Sequence, residues 1–98
     1  MYKIVWGHTA EKDYLSTLDF WITNNQSSNY SLKLMDEVEK IEDYIVLNPF
    51  MGTPIDMYPS VRKMQVMQHY SLIYKIDEHI LHIIAFWDNR RNPADLII

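Results

Sequence analysis

The sequence contains no cysteine. That excludes disulfides and thiolate metal sites. Glycine is nearly as scarce, with 2 in 98 residues, which excludes a Gly-rich phosphate-binding loop. No apolar run approaches the length of a membrane span. The start, Met1-Tyr2-Lys3-Ile4-Val5-Trp6, lacks the long apolar region and small-residue cleavage site of a signal peptide. A cytoplasmic location is therefore expected. Seryl and cysteinyl nucleophile motifs are absent. His79 and His82 have a spacing that suggests metal ligands, but strand residues three apart point to opposite faces. Neither a metal nor a cofactor is expected.

Positive charge is in short supply too. The formal net charge is −4. Up to Pro49 there are eight Asp and Glu against four Lys and Arg; from Phe50 on there are five against five. An acidic chain disfavours unspecific nucleic-acid binding, which is driven by phosphate neutralisation. Any local basic face must come from Arg62-Lys63 or Arg90-Arg91.

What the sequence does have is β-branched and aromatic residues between Val61 and Trp87. Three runs, Val61–Val66, His69–Ile76 and Ile80–Trp87, contain neither Gly nor Pro. That composition suits a pleated, partly buried surface. Links as short as Met67-Gln68 and Asp77-Glu78-His79 join antiparallel neighbours. A three-stranded meander follows. In its middle strand Tyr70, Leu72, Tyr74 and Ile76 should pack, leaving His69, Ser71, Ile73 and Lys75 mostly wet. The last strand is apolar on both faces, so it should be central, and Tyr2–Trp6 is the run available to pair with its free edge.

Between these strands the pattern is helical. Thr9 can cap a first helix in which Leu15, Leu18, Trp21 and Ile22 recur at helical spacing. The polar break Asn24–Asn29 leads to a second helix with an apolar stripe of Leu34, Val38, Ile41 and Ile45. Asn48-Pro49 stops it, and Phe50–Pro59, with Gly52, Pro54 and Pro59, reads as an apolar loop. The expected fold is α+β in the order β-α-α-β-β-β, a helical hairpin packed on one face of a small, mainly antiparallel four-stranded sheet. Residues 1–98 form one domain, with 88–98 as a C-terminal tail.

The groups able to carry acid–base or charge-stabilising chemistry are Arg62, Lys63, His82, Arg90 and Arg91. Arg62 starts one strand and Arg90 follows another running the same way, so they belong at opposite ends of the sheet. Two helices cover one face of the sheet, leaving much of the other for a partner. Phe50, Met51, Trp87, Leu96 and Ile97 are the apolar candidates for contacting it, with Arg90 and Arg91 at the rim favouring an acidic segment.

Three motifs in order resemble the RelE/ParE superfamily of type II toxins. Asn48-Pro49-Phe50-Met51-Gly52-Thr53-Pro54 is similar to its Asn-Pro-x-x-Gly-x-Pro loop. Val61-Arg62-Lys63 and then His69–Asp77 are similar to its paired strands. Ile83–Trp87 with Asp88-Asn89-Arg90-Arg91-Asn92-Pro93 is similar to its last strand and basic turn. The resemblance implies a growth-inhibiting toxin neutralised by a cognate antitoxin, with DNA contacted only indirectly through the antitoxin complex. ParE-like members poison gyrase by binding, whereas RelE-like members cut mRNA on the ribosome. Ser71 stands where the nuclease branch often has an Arg, no Tyr or His follows Trp87, and the chain is acidic. These departures favour a ParE-like plasmid-stabilisation toxin with no assigned catalytic residue. The alternatives are a ribosome-dependent endoribonuclease and a non-toxic antitoxin-binding protein of the same fold.

Overall fold

The computed structural model describes residues 1–55 and 58–96. Strand β1 (Lys3–Trp6) leads into helices α1 (His8–Asn25) and α2 (Asn29–Leu47). A 3-10 turn (Pro49–Met51) precedes β2 (Thr53–Ile55), and β3 (Tyr58–Val66), β4 (Tyr70–Asp77) and β5 (Ile80–Asp88) complete the sheet. A second 3-10 turn, Pro93–Asp95, follows. The sheet has five strands in the order β1-β5-β4-β3-β2. β1 runs parallel to β5 and every other pair is antiparallel.

The fifth strand corrects the sequence reading, which placed Thr53–Ile55 in a loop. Pro54 argues against a central strand because it donates no ladder bond. It is tolerated here because β2 is an outer strand, paired with β3 on one side only, Thr53 opposite Lys63 and Pro54 opposite Arg62.

The α2 stripe packs as its spacing predicts. Leu34, Val38, Ile41 and Ile45 are buried in one cluster with Leu72, Tyr74, Leu81 and Ile83. α1 differs. Its buried residues are Ala10 and Leu18, with Tyr14 packed beside them, while Leu15 and Ile22 are exposed. The cause lies at the helix start. Gly7 donates its backbone N–H to the Ile83 carbonyl at 2.9 Å, and α1 begins at the next residue. Thr9 is therefore already inside the helix rather than its cap. A Cβ on Gly7 would sit 3.1 Å from that carbonyl oxygen, so a small residue lets the chain turn directly from strand to helix.

β5 is central and apolar on both sides for a reason that alternation hides. Tyr74 pairs with Ile83 and Ile73 with Ala85, leaving Ile84 as an extra residue in a β-bulge. The helix-facing set is thus Leu81 and Ile83 before the bulge but Phe86 after it. On β4, Ser71 and Ile73 are also buried, against expectation. β4 is the middle strand, with neighbours on both sides, and Val61 and Ile73 form a small apolar set outside the helix-side core.

Candidate functional site

The cationic candidates do not converge. Arg62 is committed to the loop before β2: its Nη1 donates to the carbonyls of Phe50 at 3.0 Å and Gly52 at 2.8 Å. Its guanidinium also lies 4.9 Å from the centre of the Phe50 ring. Lys63 stands opposite Ile73, and His82 opposite Lys75, on the sheet face away from the helices. His82 Nε2 is 3.8 Å from Asp77 Oδ2. Arg90 makes a two-point contact with Asp88, Nε to Oδ1 at 2.9 Å and Nη2 to Oδ2 at 2.8 Å. That hydrogen bonding holds the Asp88 carboxyl below the usual carboxylate range. Arg91 lies over the Trp87 ring, 4.6 Å from its centre.

The predicted partner-contacting residues also divide. Phe50 and Met51 are exposed beside Arg62, which is level with Tyr74 on β4. Arg90 and Arg91 lie beyond Asp88, which is level with Tyr70. Those levels are roughly 13 Å apart along the strands, and β3 and β5 are about 10 Å apart across the sheet. Leu96 is half-buried at the end of the last 3-10 turn. Ile97 lies outside the described residues.

What the structure does assemble is a groove beside α1. Asp13, Ser16, Thr17 and Phe20 line one wall, Tyr70 and Phe86 form the floor, and Asp88, Arg90 and Arg91 close the end. Its volume is about 330 Å³. Tyr70 and Phe86 stack at 5.2 Å, Tyr14 meets Phe86 at 5.0 Å, and Trp6 stacks on Tyr14 at 5.2 Å. Trp21 donates from Nε1 to the Tyr70 hydroxyl at 2.7 Å and packs against Tyr30 at 4.6 Å. The two floor rings thus belong to one continuous aromatic layer. Of its lining residues the sequence singled out only Arg90 and Arg91 for a functional site. Phe20 was detectable, because it lies off the stripe that packs on the sheet.

The groove borders an open strand edge. β1 pairs with β5 only from Ile80 to Ile83. Beyond Ile83 the chain that would continue β1 has already turned into α1 at Gly7. From Ile84 to Asp88, β5 has β4 on one side and, among the described residues, no strand on the other. An extended segment can pair there.

The family model of the ParE toxin of type II toxin-antitoxin systems, parDE, matches residues 4–93. The chain belongs to the ParE toxin family. A solved chromosomal ParDE toxin-antitoxin system from P. aeruginosa is similar in fold, with a TM-score of 0.71 and 16% identity. The match covers 90% of this chain and 96% of that one. No curated protein matches. Among the described residues no helix of this toxin is long and apolar enough to cross a membrane.

The toxin's buried tyrosines supply a test of the packing beneath its surface. Burial, then Glu42 and Glu39, push the Tyr14 phenol from 10.0 up to about 12. Tyr30 and Tyr74 are raised as well, in each case chiefly by burial. A pKa raised on folding gives stability that is complete below the unfolded value and is lost as pH climbs through the folded one. The melting temperature should therefore hold up to about pH 10 and fall from there towards pH 12, in step with tyrosinate absorbance. A melting temperature flat across that interval would contradict the packing of Tyr14.

Proposed function

We propose that this type II toxin acts by binding and that a cognate antitoxin neutralises it at the α1 groove and the adjoining β5 edge. The observation that carries the reading is the strand edge Ile84–Asp88, left open beside an aromatic groove. An antitoxin segment laid along it would gain backbone pairing from β5 and side-chain burial against Phe20 and Phe86. Arg91 at the groove's end favours an acidic residue in that segment, whereas Arg90 is already matched by Asp88. The ParDE system found among solved structures supports an antitoxin partner.

The target we favour is gyrase-like, reached by binding. The dispersal of Arg62, Lys63, His82, Arg90 and Arg91 supports this over RNA cleavage, because phosphoryl transfer needs its charges focused on one phosphate. Arg62 and Arg90 are moreover occupied, by loop carbonyls and by Asp88. A ribosome-dependent endoribonuclease is the alternative. Ribosome-dependent mRNA cuts that vanish in an Arg90→Ala, Arg91→Ala double variant would establish it.

The antitoxin site is tested by the short reading frame adjacent to the gene, co-expressed with the toxin. Phe20 is 56% exposed, so Phe20→Glu should leave folding intact. Combined with Arg91→Glu it should weaken the complex by ~100-fold or more, as loss of an aromatic anchor and a charge does. Undiminished co-purification would place the antitoxin elsewhere.

A further inference from the structure

We infer that the toxin carries a second, independent docking surface, formed by Tyr44, Leu47, Phe50 and Met51. We propose that it is the convex contact with the toxin's target, inserted into an apolar cleft rimmed by Lys and Arg. The inference rests on the gyrase-type target proposed above and goes beyond it by naming the surface.

The four residues fall within eight positions, at the end of α2 and in the 3-10 turn after it. Their exposures are 52%, 85%, 58% and 43%. So much exposed apolar side chain within eight positions is a poor surface for a chain that is to remain in water. The turn is also held from beneath. The Tyr74 hydroxyl donates to the Pro49 carbonyl and accepts from the Gly52 N–H at 3.2 Å. Arg62 adds two bonds to the carbonyls of Phe50 and Gly52 and faces the Phe50 ring. A buried phenol and an arginine are thus spent on fixing a turn whose own side chains point outward. Such pre-organisation lowers the entropy lost on docking.

Shape and charge select the occupant. Four side chains offer far less than the roughly 800 Å² per partner of a standard interface. A flat contact with a second copy would therefore be weak, whereas a knob entering a cleft is surrounded by its partner. α2 brings Asp36, Glu37, Glu39, Glu42 and Asp43 against Lys33 and Lys40. Of these, Lys40 is paired with Asp36 and Glu37. The knob thus stands on an acidic helix, which repels nucleic acid and favours a basic rim on a protein. The antitoxin groove lies across the sheet, so the two surfaces can be separated by substitution.

The test uses purified DNA gyrase and the full chain. Leu47→Glu changes the most exposed member and touches no anchor; Phe50→Ser is the second variant. Both should keep the antitoxin complex; Leu47→Glu should keep the wild-type melting temperature, and Phe50→Ser, which gives up the ring contact with Arg62, should lower it only slightly. Both should lose at least ~100-fold in inhibition of supercoiling, a loss typical of an anchor residue. Variants that inhibit as well as wild type would overturn the surface and leave the gyrase-type target standing. Wild-type toxin that neither binds nor inhibits gyrase would overturn both. Loss of the antitoxin complex by the Leu47 variant would assign the knob to the antitoxin instead, and the proposal would fall.

Discussion

Val38→Asp should destabilise the fold severely. Val38 is 2% exposed, in the middle of the α2 stripe, and it belongs to the same cluster as Leu72 and Tyr74. The neighbouring stripe residues are Leu34, Ile41 and Ile45, all buried. None can hydrogen-bond a carboxylate, so the aspartate must protonate, stay charged without a partner or drive α2 off the sheet. Each route is unfavourable, and the cost should be about 4 kcal/mol or more. Domains of this size have only about 5–15 kcal/mol to lose. Leu32→Asp is the control, on the same helix but 58% exposed. It should change stability by no more than about 0.5 kcal/mol. Thermal and urea unfolding of the two variants decide the matter. Equal melting temperatures would mean that α2 does not pack through this stripe.

The contrast between Val38 and Leu32 shows why α2 was legible. Its stripe repeats at four, three and four, and no tertiary contact competes with it. The meander was legible for a similar reason: three runs without Gly or Pro, joined by links too short for anything but antiparallel pairing. α1 was harder. It has apolar residues on more than one side, and only the tight exit at Gly7 decides that Leu18 turns inward while Leu15 does not. The bulge at Ile84 left no local signal either. It changes which side chains face the helices without changing composition, and strict alternation from His82 would put Phe86 on the face away from them. β2 was hidden by Pro54, whose meaning depends on whether a strand is central or at an edge, and sequence order alone does not say. The candidate site was the least legible. The basic pairs were visible, but Arg62 and Arg90 are tied up by a loop and by Asp88. The groove is made largely of residues that read as ordinary helix surface, such as Asp13 and Ser16, or as core, such as Tyr70 and Phe86. Its open edge arises from a length mismatch between β1 and β5, which appears only once their register is known.

Gly52 and Tyr74 should prove energetically coupled. Gly52 has φ −68° and ψ 155°, a conformation open to any residue, so backbone freedom does not explain it. Space does. A Cβ there would stand 2.6 Å from the Tyr74 hydroxyl, 3.0 Å from the Lys63 carbonyl oxygen and 3.1 Å from Arg62 Cβ. Gly52→Ala must push the turn outward or displace the phenol, and either breaks the hydroxyl's bonds to Pro49 and Gly52. Overpacking with the loss of buried hydrogen bonds should cost about 2–4 kcal/mol. Tyr74→Phe alone keeps the ring but leaves the Pro49 carbonyl and Gly52 N–H without their partner, at about 1–3 kcal/mol. In the double variant the closest clash is gone and the hydrogen bonds are lost only once. Its cost should therefore fall short of the sum by about 1 kcal/mol or more, a coupling expected of residues in direct contact. Chemical denaturation of the four proteins measures it. Strict additivity would mean that the turn is held by Arg62 and the β2–β3 pairing, with the Tyr74 hydroxyl contributing little.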